Sequence, residues 1–77
     1  MDEPNTREVL MREAMVSALL HDAGAKIELA RVNIEVYLNN SVGVGDHPNI
    51  TETIQEQLDI ISKNKDRITV LTEYFND

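Results

Sequence analysis

The chain has 77 residues, enough for one small domain at the usual ~100–200 residues per domain. It contains no cysteine, which excludes disulfides and thiolate-ligated zinc as supports and fits a reducing compartment. Fourteen acidic residues against seven lysines and arginines give a net charge of −7, the wrong sign for a phosphate-backbone binder or for docking on anionic lipid.

Met1 to Arg7 are polar and acidic and lack the apolar core of a signal peptide. Asn5 or Thr6 can cap a helix that starts there, with Pro4 just outside and Glu8 in the first turn. From about Thr6 to Asn39, Val16, Leu20, Ala23, Ile27, Ala30, Ile34 and Tyr37 recur at alternating spacings of four and three. That is the stripe of an amphipathic helix close to a heptad. Gly24 falls inside it at a cost of ~1 kcal/mol relative to alanine. A continuous helix is the preferred reading. A split near Asp22, or a close helix contact with Ala23 and Ala25, is the alternative. Val32, Ile34, Val36 and Leu38 also alternate as a strand would, with a second strand around Ile68 and Val70. The helical template extends much further, and a lone two-stranded ribbon is marginal in water.

Asn39 to Pro48 carry two of the three glycines and one of the two prolines, residues that end one helix and open the next. From about Ile50 to Phe75, Ile54, Ile61, Ile68 and Phe75 recur every seven residues, with Leu58, Leu71 and Tyr74 flanking them. Asn49 followed by Glu52 resembles a capping box with Asn in place of Ser or Thr. The expected fold is all-α: one domain over residues 1–77, an antiparallel helical hairpin of a helix at about 6–39, a loop at 40–48 and a helix at about 49–75. Two helices cannot enclose a full core, so self-association is expected to complete a bundle.

The stretch I-E-V-Y-L-N-N-S-V-G-V-G-D-H-P-N-I from Ile34, followed by a heptad helix ending L-T-E-Y-F, resembles short helical-hairpin proteins of tailed bacteriophages, including marine T4-like phages. The distinctive part is V-Y-L-N-N-x-V-G-V-G-D-H-P. The resemblance implies a phage accessory or structural protein in the host cytoplasm and carries no catalytic residues with it.

Little in the chain has the spacing of a chemical site. Leu19 to Gly24 look like the His-Asp doublet of metal-dependent phosphohydrolases, but no histidine precedes His21 and the chain is too short to build their cavity. Asp46 and His47 are adjacent in the loop, where a metal site would need three or four converging ligands. Gly43-Val44-Gly45 ahead of a helix could form an anion nest, yet no lysine or arginine lies between Arg31 and Lys63, and Asp46 and Glu52 would oppose a phosphate. Lys63, Lys65 and Arg67 form a basic cluster too small for nucleic acid, suited to pairing with acids of the neighbouring helix or chain. Asn39-Asn40-Ser41 and Asn49-Ile50-Thr51 match glycosylation sequons by chance in a chain read as non-secretory. No nucleophile has a recognisable setting, so a non-catalytic protein without cofactor or metal is expected.

Glu52, Glu56 and Asp59 share one face of the second helix and form an acidic surface suited to a basic protein partner, such as a host or defence enzyme or a virion component. The runner-up is a small anionic ligand, a metabolite or nucleotide, held by Gly43, Gly45, Asp46 and His47 with the second helix's N-terminus at a subunit junction. The second helix is the shorter, so it is expected to end near the level of Glu13 and leave the first two turns of the first helix overhanging. Val9, Leu10 and Met11 in this overhang, with Met15 and Leu19 on the flank of the stripe beyond it, are expected to meet a second copy of the chain in a homodimer or higher oligomer. No apolar run approaches the ~20 residues of a membrane span, and a soluble, cytoplasmic protein is expected.

Overall fold

The computed structural model describes residues 5–39 and 49–75. They form two helices, α1 (Thr6–Asn39) and α2 (Ile50–Tyr74), packed against each other as an antiparallel hairpin. Among the described residues there are no strands, and Val32 to Leu38 are helical. A hairpin loop at 40–48 lies outside the described residues.

The start of α1 is capped as the polar residues suggest. The Asn5 Oδ1 accepts a hydrogen bond from the Arg7 backbone N–H at 2.9 Å, which identifies Asn5 rather than Thr6 as the cap. At the other end, Asn39 Nδ2 donates to the Glu35 carbonyl at 2.8 Å and to its carboxylate at 3.1 Å. α2 begins differently from the expected capping box. Asn49 is the cap residue, but its side chain makes no cap hydrogen bond. Its carbonyl instead accepts both the Thr53 N–H, at 3.0 Å, and the Thr53 hydroxyl, at 3.2 Å.

The seam between the helices follows the four-three spacing. On α1 it consists of Val16, Leu20, Ala23, Ile27, Ala30, Ile34 and Tyr37, all buried or half-buried. On α2 the heptad of Ile54, Ile61 and Ile68 is joined by Ile50, Gln57, Asn64 and Leu71. Leu58 and Tyr74, expected to flank this seam, are exposed, Tyr74 at 68%. They lie one and three residues past the alternate seam positions taken by Gln57 and Leu71. A step of one residue turns a side chain by about 100°, away from the partner helix.

Asn33 Nδ2 donates to Gln57 Oε1 at 3.1 Å and so marks the register. In that register Ala23 lies about level with Ile68 and Ala30 with Ile61. Small residues on α1 meet β-branched ones on α2, and these two alanines are the buried apolar residues of the described chain. Asn64 is the third buried residue, 2% exposed and about level with Ile27. Its Nδ2 donates to the Ile60 carbonyl at 2.8 Å, while its Oδ1 has no hydrogen-bond partner. α2 reaches only the level of Val16, where Phe75 borders the same groove as Met15 and Val16. The overhang therefore runs from Thr6 to Met15, about 15 Å at 1.5 Å per residue, a turn longer than the expected two.

α1 is unbroken through Gly24. A methyl group built there meets nothing within 4 Å, so no close helix approach demands glycine. Gly24→Ala is expected to stabilise the fold by about 0.5–1 kcal/mol, a rise in melting temperature of several degrees; an unchanged or lower value in a thermal melt would contradict an open site. An unpaired buried acceptor costs about 1–3 kcal/mol. Asn64→Leu, of similar size, is therefore expected to raise the urea midpoint, whereas Asn64→Asp, which adds a charge there, should lower it sharply. A loss of stability in the leucine variant would show that Asn64 is satisfied in solution.

Candidate interaction surface

α1 carries a second apolar stripe, out of phase with the hairpin seam and exposed along its length. Met11, Met15, Ala18, Asp22, Ala25, Leu29, Val32 and Val36 recur at the same alternating spacing of four and three as the hairpin seam. At 100° per residue this stripe lies about 140° around the helix from that seam. All of its residues are exposed, Met15 at 59% and Leu29 at 67%. α1 is thus apolar on two nearly opposed faces. The outward face of α2 is polar over most of its length.

Toward the overhang the stripe widens into an open groove of about 610 Å³. Met11, Met15, Val16, Leu71 and Phe75 form its floor, and Arg7, Glu8 and Arg12 its rim. Tyr74 packs edge-on against Phe75, with ring centroids 6.4 Å apart. The five residues expected at a self-association surface are all exposed, but they do not share one face. Met11 and Met15 lie on the second stripe and Leu19 flanks it. Val9 prolongs the hairpin seam beyond the end of α2. Leu10 projects outside both. Sequence reading concentrated on the overhang and missed Leu29, Val32 and Val36, which continue the same stripe to the far end of α1. The signal that could have found them is the repeat of the four-three spacing, out of phase with the first.

Glu52, Glu56 and Asp59 are exposed together on the outward face of α2. Among the described residues the ion pairs are Lys26 with Asp22 and Arg31 with Glu28, each at 2.8 Å. Among the described residues Glu52, Glu56 and Asp59 take part in no ion pair, and neither do Lys63, Lys65 and Arg67. His21 is exposed beside Asp22. Among the described residues no three histidine or acidic side chains gather closely enough to hold a metal ion. Gly43, Gly45, Asp46 and His47, the candidate ligand loop, lie outside the described residues. No described helix is long and apolar enough to cross a membrane.

Exposed charges contribute little to stability. The triple variant Glu52→Lys, Glu56→Lys, Asp59→Lys is expected to keep its helicity by circular dichroism and to lose about 1 kcal/mol or less. Most of that loss should come from Glu52, in the first turn of α2, where a negative charge favours the helix dipole. A collapse of helicity would place these acids in a structural network instead.

No family model, curated protein or solved structure matches the chain.

Proposed function

We propose that this chain is a non-catalytic interaction protein that works as a self-associated assembly and presents an acidic face to a protein partner. One observation carries the reading. The hairpin buries Ala23, Ala30 and Asn64 and leaves Met11, Met15, Leu19, Leu29, Val32 and Val36 in solvent. Soluble monomers rarely expose so continuous an apolar surface, and methionines adapt well to irregular interfaces.

Two further features support the reading. The groove at the overhang is open and lined mainly by apolar side chains, Met11, Met15, Val16, Leu71 and Phe75, a surface suited to a second protein chain. The exposed acids Glu52, Glu56 and Asp59 offer a charge pattern that steers and orients a basic partner. The partner proposed is a host or virion protein, as expected from the sequence of the Ile34–Ile50 segment.

Light scattering at micromolar concentration tests the assembly directly. The wild-type chain is expected to have a multiple of its monomer mass, and Met15→Glu with Leu19→Glu to reduce it to the monomer. A monomeric wild type with a sharp thermal transition would overturn the reading. Capture of a basic partner should weaken with added salt and in the lysine variant of the acidic face; salt-independent capture would move the contact elsewhere.

A further inference from the structure

We infer that two copies of the chain join through the second stripe of α1, running antiparallel, so that four helices lie in a row with α2 of each copy on the outside. The inference rests on the self-association proposed above and names its geometry.

Extent is the first reason. Met11, Met15, Leu29, Val32 and Val36 remain between 52% and 67% exposed after the hairpin has formed, a long apolar face still to be covered. The exposed apolar stripe runs from Met11 to Val36, about 38 Å of helix, so a second α1 can cover it along its whole length.

Complementarity is the second reason, and it selects the direction. Laid antiparallel about its own midpoint, the stripe sets Met11 against the partner's Val36 and Met15 against the partner's Val32. Ala18 then meets the partner's Leu29, small against large, as Ala23 and Ala30 meet isoleucines within the hairpin. The charged residue in the stripe, Asp22, falls near the twofold axis. Its carboxylate is held by Lys26 of the same chain at 2.8 Å. The antiparallel register brings the partner's Lys26 about level with it on the same flank, so each acid lies between two bases. A parallel pairing instead stacks Ala18 on the partner's Ala18 and Leu29 on the partner's Leu29, small on small and large on large, which leaves a gap at one level and crowds another.

Because the chain contains no cysteine, introduced thiols report position without background. Chains carrying Ala18→Cys are mixed with chains carrying Leu29→Cys and oxidised mildly. The mixture is expected to give a disulfide-linked heterodimer. Either variant alone should give little covalent dimer, since its two thiols are separated by about 16 Å along the axis, beyond disulfide reach. Efficient cross-linking within Ala18→Cys alone would establish a parallel pairing and overturn this geometry while leaving self-association intact. Leu29→Glu with Val32→Glu, far from the overhang and exposed in the hairpin, is expected to keep full helicity and reduce the assembly to monomer. An unchanged mass for that variant would confine the contact to the overhang and also overturn the geometry. A monomeric wild type would overturn both this geometry and the self-association itself, and would leave the stripe to a different partner.

Discussion

The hairpin depends on a single strip of contact, the four-three seam where Ala23 and Ala30 of α1 pack about level with Ile68 and Ile61 of α2. A helix can bury only one stripe against one neighbour. Among the described residues there are two helices, hence one such interface and no third element to close around it. Most of the apolar side chains on the seam therefore remain only half-buried, and the features that follow, exposed stripe, open grooves and overhang, are consequences of that geometry.

The same seam is not purely apolar. Gln57 and Asn64 occupy two of its positions on α2, and each has a distinct consequence. Gln57 accepts from Asn33 and ties the two helices at one level. Asn64 bonds only to its own helix, at Ile60, and leaves an acceptor dry. A hydrophobic side chain there would pack without that cost, yet a uniformly apolar seam of equally spaced isoleucines would slide by a heptad with little penalty. Polar residues at selected seam positions are a known way to hold one register at some expense in stability. In a hairpin held by one helix pair, register decides which residues overhang, and so which surface is presented.

The contrast between the two helices follows from what each must face. α2 has one apolar stripe and a polar remainder carrying Glu52, Glu56 and Asp59, the pattern of a helix with one neighbour. α1 has two apolar stripes about 140° apart, the pattern of a helix placed between two neighbours. Ion pairs such as Lys26 with Asp22 are exposed and add little stability of their own. Their place beside an apolar stripe matters more, because a charge at the edge of an interface selects orientation.

The amino-acid order by itself determined the two helices, their ends within a residue or so, and the seam residues of α1, because hydrophobic periodicity and capping are local properties. It favoured an α1 continuous through Gly24, since the stripe continues in phase on both sides of it, and the structure decided between that and a split near Asp22. Local pattern did not settle which α2 residues flank the isoleucines. Leu58 and Tyr74 are attractive because they are apolar, but the seam takes every position at its phase, and Gln57 and Asn64 hold that phase. The failure of Asn49 and Glu52 to form a capping box was likewise invisible, because the match lies in the letters while the bond depends on backbone angles. The length of the overhang and the isolation of the second stripe were decided only by tertiary structure, since both depend on where α2 stops against α1 and which side of α1 it covers.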